Sequence, residues 1–233
     1  MDKKTGIIVG VLAAVLVGLV GITIWQKNAA PAPSSDLSQV IEASEESGNF
    51  PELINGNPDA PVKIMEYGDY QCTACAPMNP YINELVEEYD GKVAVVFRTM
   101  IMSYHQNGTA AASAALAAYK QGYWKEYKDI LFENQDDWYY SDATQRQKQF
   151  EEYLMKVSND KANLEQFRKD MSSEEVTNKL AFDSDLADRA KVEWTPYFMI
   201  DGELISQKGM TTAEFMDKLR QKIDAKLESV EAK

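Results

Sequence analysis

The chain has two cysteines, Cys72 and Cys75, and they stand three apart in Cys72-Thr73-Ala74-Cys75. Two cysteines scattered at random over this length fall at that spacing in roughly one case in a hundred. The pair cannot staple distant segments, and closing a loop over two residues stabilises little. What it can do is open and close its own disulfide. Cys72 attacks a disulfide or is attacked, and Cys75 resolves the mixed disulfide. Two buried thiols serving as small core residues, or half of a metal site shared with another chain, are the competing readings. His105 is the single histidine, so cysteine and histidine together supply three ligands where a structural zinc site takes four. No metal and no cofactor is expected.

The segments around the pair decide what the sulfurs can do. Val62 to Tyr67 reads as a strand bounded by Pro61 and Gly68. From Thr73 to Tyr89 the apolar residues Met78, Ile82, Leu85, Val86 and Tyr89 recur at helical spacing, and Asp90-Gly91 ends the helix. Val93 to Thr99 is short and β-branched, a buried strand. Strand, helix, strand makes a βαβ unit with a parallel pair. The cysteines then sit at a helix N-terminus, where unpaired N–H groups and a positive partial charge favour a thiolate. Cys72 is expected to be exposed with a depressed pKa, and Cys75 buried. Strand alternation puts Ile64 and Glu66 on one face and Met65 and Tyr67 on the other. A carboxylate at Glu66 would lie beneath the helix, with its pKa raised by burial. The alternative is a Glu66 salt-bridged at a strand edge.

Beyond Thr99 the patterning is helical for a long stretch. Thr109 to Tyr119 is rich in alanine, and Tyr123 to Glu133, Gln145 to Val157, Lys161 to Met171 and Ser172 to Lys191 follow. Tyr197 to Ile200 and Glu203 to Ser206 flank Asp201-Gly202, a two-residue hairpin signal. Thr212 to Leu227 closes the chain as an amphipathic helix. Asp183, Asp185 and Asp188 lack the glycine and terminal glutamate of a calcium loop and read as a solvated helix face. Asp136-Asp137-Trp138-Tyr139-Tyr140 reads as a loop packed on the helices, and His105 as a structural residue near the start of the alanine-rich helix.

Glu66-Tyr67-Gly68-Asp69-Tyr70-Gln71-Cys72-Thr73-Ala74-Cys75 resembles the active-site segment of the DsbA-like thiol–disulfide oxidoreductases, above all their membrane- or lipid-anchored Gram-positive members. Asn107 to Tyr119 and Leu131-Phe132-Glu133-Asn134 look like that family's inserted helical domain, and the likeness covers about residues 50–228. The resemblance implies an α/β protein, a thioredoxin fold with an all-helical insertion. It implies a cis-proline loop at Thr195-Pro196, lying against Cys72, with Trp194 adding apolar surface for substrate. It also favours an acidic residue at Glu66, which would exchange a proton with Cys75 through water. Thr73-Ala74 lacks the histidine of the family's best-known oxidases. A protein disulfide oxidase is the leading expectation, with a reductase or isomerase of the same fold open beside it. A tethered protein-binding or chaperone module is the alternative of another class.

Gly6 to Trp25 is an uncharged stretch of twenty residues, about 30 Å long as a helix, preceded by Lys3 and Lys4. It reads as an uncleaved transmembrane anchor over residues 1–27, with the N-terminus cytoplasmic and the rest outside. Residues 28–50 read as a flexible acidic linker in which Leu37, Val40 and Ile41 could form one short amphipathic helix. Residues 51–102 and 192–233 then form the thioredoxin-like domain, and 103–191 the helical subdomain. A net charge of −13 leaves no basic footprint for nucleic acid, and 45% hydrophobic residues exclude wholesale disorder. The expected partners are reduced, unfolded exported proteins, a membrane redox protein that reoxidises the cysteine pair, and the membrane itself.

Overall fold

The computed structural model describes residues 37–232. The anchor read at Gly6 to Trp25 and the first part of the linker lie outside them. Among the described residues no helix is long and apolar enough to cross a membrane.

The sheet is built from β1 (Leu53–Gly56), β2 (Val62–Gly68), β3 (Val93–Thr99), β4 (Tyr197–Ile200) and β5 (Glu203–Leu204), in the order β1-β3-β2-β4-β5. The helices are α1 (Cys75–Glu88), α2 (Gly108–Lys120), α3 (Trp124–Glu133), α4 (Gln135–Trp138), α5 (Ala143–Ser158), α6 (Leu164–Met171), α7 (Glu174–Arg189) and α8 (Thr212–Glu231). β2 is central. It pairs in parallel with β3, across the α1 connection, and antiparallel with β4. β1, too short to stand out in the sequence, pairs antiparallel with β3.

Alternation along β2 sorts the two faces as expected. Val62 and Ile64 pack with Met78, Ile82 and Leu85 of α1 and Phe215 and Leu219 of α8. Met65 and Tyr67 pack on the other face with Phe182 and Leu186 of α7. Thr211 and Glu214 cap α8 reciprocally, the Glu214 carboxylate accepting from Thr211 N–H and the Thr211 hydroxyl from Glu214 N–H. The six helices α2 to α7 lie between β3 and β4 as an insertion. Ala111, Ala112, Ala114, Ala115, Ala117 and Ala118 are all fully buried, because α2 is the helix on which α3, α5, α6 and α7 pack. Small side chains let several helices approach one axis.

The reading of residues 28–50 as a flexible linker needs correction from Leu37 onward. No helix forms there. The segment runs over the sheet, with Leu37, Val40 and Ile41 against the Met65–Tyr67 face. Arg98, fully buried, explains the choice. Its guanidinium donates to the carbonyls of Leu37 and Gln39 at 2.8 Å each, to Tyr67 Oη at 3.1 Å and to Glu52 Oε1 at 2.7 and 3.0 Å. A helix would spend its carbonyls on its own amides, whereas a non-helical strap leaves them free for the buried cation. Further along, Gly48 (φ +60°) passes so close to Glu175 that a Cβ would lie 1.9 Å from its carbonyl oxygen. Arg98→Met would leave Glu52 and two backbone carbonyls without their donor. The expected loss is about 3–5 kcal/mol, read by urea melts, together with new protease cuts between residues 37 and 50. An unchanged melt with the strap still protected would contradict this account.

Candidate active site

β2 ends at Gly68 and the chain turns through Asp69, Tyr70 and Gln71 into Cys72, whose N–H donates to Asp69 O at 3.0 Å. The helix starts later than its apolar spacing predicts. Cys75 opens α1, and the amides of Cys75 and Ala76 donate to the Cys72 carbonyl at 3.0 and 3.3 Å. Cys72 therefore stands in the turn ahead of the helix, with Cys75 in its first turn. Both are free thiols.

Cys75 is buried as expected, at 1% exposure. The expected open exposure of Cys72 is corrected: it keeps 9% of its surface. Thr195 lies against it, its carbonyl accepting from Cys72 Sγ at 3.3 Å, and Gln135 of the insertion donates to the Cys72 carbonyl at 3.1 Å. The Cys72 thiol is nevertheless acidic, its pKa lowered to about 5. The Cys75 thiol as hydrogen-bond donor is the largest cause. Burial opposes it, while the Thr195 side chain and the N–H groups of Ala74 and Cys75 add to it. Among the described residues the buried Thr195 hydroxyl engages no other partner, so it is free to turn to an ionised Cys72. Cys75 moves the other way. Burial, then the hydrogen bond and charge of Cys72, push it well above the ordinary thiol range. The pair thus separates into one sulfur ready to ionise and one that holds its proton.

The Thr195-Pro196 bond is cis. Trp194, beside it, is 42% exposed and packs on Tyr197 with ring centroids 5.6 Å apart. Glu66 lies in the central strand, four per cent exposed, so the strand-edge alternative does not hold. Among the described residues its carboxyl makes no hydrogen bond or ion pair, and burial raises its pKa to about 7, opposed by the Lys128 cation. The structure thus brings Cys72, Cys75, Glu66, Trp194, Thr195 and Pro196 to one end of the sheet and α1.

Several neighbours carried no signal in the sequence. The carboxylate of Asp69, fully buried, accepts from Gln71 N–H at 2.9 Å and Met102 N–H at 2.8 Å, and lies 2.6 Å from His105 Nδ1. The Asp69 backbone N–H reaches the Cys75 sulfur. His105 is thus a structural residue, but one that holds the active-site turn. Gln135 Nε2 also donates to Tyr70 O at 2.8 Å, and Gln71 Nε2 to Tyr139 O at 2.9 Å, welding the insertion to that turn. Trp138 packs as expected, fully buried, yet Tyr140 is 92% exposed. Asp183 departs from the solvated reading. It is fully buried, ion-paired to Lys179 at 2.6 Å and accepting from Thr99 N–H. Polar residues such as these acquire meaning only from what the insertion packs against.

A family profile described as thioredoxin matches residues 49–224. The Bacillus cereus protein named "Probable disulfide bond formation protein D" is 31% identical over 172 residues, which are 70% of this chain and 76% of that one. A Na(+)/H(+) antiporter NhaA 3 of Salinispora tropica is 28% identical over 211 residues, 86% of this chain but 30% of the antiporter. Among solved structures, oxidised BdbD from Bacillus subtilis shares the fold, with a TM-score of 0.63, 23% identity, and coverage of 80% of this chain and 96% of that one. The chain belongs to the thioredoxin-fold, DsbA-like thiol–disulfide oxidoreductases, and is an enzyme of dithiol–disulfide exchange.

Proposed function

We propose that this oxidoreductase acts as an oxidase, introducing disulfides into reduced, unfolded exported proteins through Cys72 and Cys75. The observation that carries this is the acidity of Cys72 above a Cys75 that holds its proton. A stabilised Cys72 thiolate lowers the free energy of the dithiol form, which makes the disulfide form the better electron acceptor. A substrate thiolate attacks Cys72, Cys75 leaves as a thiolate, and a second substrate thiolate then displaces Cys72 to close the substrate's disulfide. Thr195, in contact with Cys72, would pair its backbone with an extended substrate segment, with Pro196 shaping the loop and Trp194 supplying apolar surface. Glu66 would return a proton to Cys75 as it leaves. Gly6 to Trp25 would tether the domain on the outer side of a membrane, near the redox partner that reoxidises the cysteines.

Equilibration with glutathione buffers tests the direction. A thiol pKa of about 5 lies between those of thioredoxin and DsbA, roughly 7 and 3.5. The expected potential accordingly lies between their values, roughly −270 and −120 mV. A potential at or below that of thioredoxin would assign the chain to the reductases instead.

A further inference from the structure

The aromatic run Trp138-Tyr139-Tyr140 and its acidic flank take no part in the exchange chemistry, yet they sit beside it. Trp138 turns inward and is fully buried, while the loop between α4 and α5 turns the next ring out. Tyr140 is 92% exposed, and Tyr104, between β3 and α2, is 69% exposed. The rings form a row. Between centroids, Tyr104 lies 4.6 Å from His105, His105 6.4 Å from Tyr139, and Tyr139 4.5 Å from Tyr140.

Exposed rings on a slack loop would mean little, but this loop is braced. Asn107 Nδ2 donates to the carbonyls of Trp138, Tyr139 and Ser141 at 3.0, 3.1 and 3.1 Å, and Arg146 holds Asn107 Oδ1. Gln71, next to Cys72, accepts from Asn107 N–H at 2.6 Å and donates to the Tyr139 carbonyl at 2.9 Å. The row is thus fixed to the turn that carries Cys72. A rigid ridge has little conformational entropy to lose on binding, and each tyrosine offers an apolar face with a polar tip.

The charges around the ridge are one-sided. Glu133, Asp136, Asp137 and Glu193 are exposed, and among the described residues none of them forms an ion pair. Residues 69–76, 102–107, 133–142 and 193–197, which carry the mouth and the ridge, contain no lysine and no arginine. Arg146, just beyond, is engaged by Asn107. A substrate thiolate nearing Cys72 is an anion moving against these carboxylates and a net charge of −13. A cation on the same substrate offsets that repulsion, and the face of a tyrosine ring attracts it further.

We propose that the ridge of Tyr104, Tyr139 and Tyr140, with its acidic rim, selects extended polypeptide segments that carry an arginine or lysine within a few residues of the reacting cysteine. This rests on the reading that Cys72 exchanges with the thiols of protein substrates, and it names which of those thiols react fastest. The substrate's cation lies on the exposed rings, within the field of Asp136 and Asp137, while its cysteine reaches Cys72. Neutral segments are accepted, and acidic ones are turned away by like charge.

Peptides with a single cysteine, flanked by arginine, leucine or glutamate in an otherwise neutral sequence, would be offered to the disulfide form of the full chain. The arginine peptide is expected to exceed the glutamate peptide about tenfold in kcat/KM at low salt, with leucine between them. High salt should shrink the difference without abolishing it, because the rings remain. Tyr104→Ser with Tyr140→Ser, and Asp136→Asn with Asp137→Asn, should each bring the arginine-to-glutamate ratio down to about threefold or less. The same peptides with serine for cysteine, titrated calorimetrically, read binding without exchange and should rank in the same order. Equal rates and equal binding for the three peptides overturn the proposal. So does a preference for leucine over arginine, or an arginine preference that survives both paired variants. A dimer in sedimentation that Tyr140→Ser dissolves would give the ridge to a second copy of this chain and overturn it too. If the serine peptides bind in the expected order while no cysteine peptide is oxidised, the ridge stands and the oxidase reading fails.

Discussion

Cys75→Ala, which can form no internal disulfide, is expected to trap disulfide-bearing proteins, because its Cys72 thiolate attacks their disulfide, one substrate sulfur leaves as a thiolate, and no Cys75 remains to resolve the mixed disulfide, while Cys72→Ser falls to the uncatalysed background. The difference follows from the order of the sulfurs. Cys72 is the one a partner can reach, and Cys75, at 1% exposure, is closed to it. With Cys72 near pKa 5 and Cys75 far above the ordinary range, alkylation of the reduced protein at pH 6 should label Cys72 faster by on the order of a thousandfold. Faster labelling of Cys75 would reverse the assignment. Because the Cys75 thiol is the main donor to the Cys72 thiolate, Cys75→Ala should also raise the Cys72 pKa. The trap should therefore capture substrate better at pH 8 than at pH 6, which non-reducing gels across pH would read.

Glu66→Gln is expected to stabilise the protein and slow exchange together. In the folded chain the carboxyl titrates near 7, against 4.5 for its ordinary value. Between those values the folded state keeps a proton that the unfolded state has released, so this group's contribution to stability falls as pH rises through the window. Above pH 7 the full penalty is present, about 3 kcal/mol, and below pH 4.5 it is absent. Glutamine removes it, less the cost of leaving an amide poorly paired in the same place. Paired urea melts should show a gain of about 2 kcal/mol at pH 8 and nearly none at pH 4. Formation of the mixed disulfide, the step in which Cys75 leaves, should slow about tenfold or more. Unchanged stability and an unchanged rate would remove Glu66 from the mechanism.

The chemistry of this protein was legible from local sequence because its catalytic parts are local. A strand, two cysteines at one-turn spacing and a helix occupy about 25 consecutive residues of the sequence, and hydrophobic periodicity reports such elements directly. Alternation within one strand was enough to place Glu66 on the α1 face. Thr195-Pro196 lies 121 residues beyond Cys75, and its place against Cys72 came from family likeness rather than from any pattern in the chain. Tertiary structure decided the rest. The strap at residues 37–50 is ordered because a buried Arg98 needs backbone carbonyls, a demand invisible in the strap's own acidic sequence. Cys72 is less exposed than a helix N-terminus alone implies, since Thr195 and the insertion close over it. Packing buries Asp69, Gln135, Lys128 and Asp183, the last read in the sequence as part of a solvated helix face, against partners 36, 65, 49 and 84 positions away. Periodicity measures which face a residue occupies, but the partner that faces it is set by how separate elements pack, and one sequence window holds no record of that.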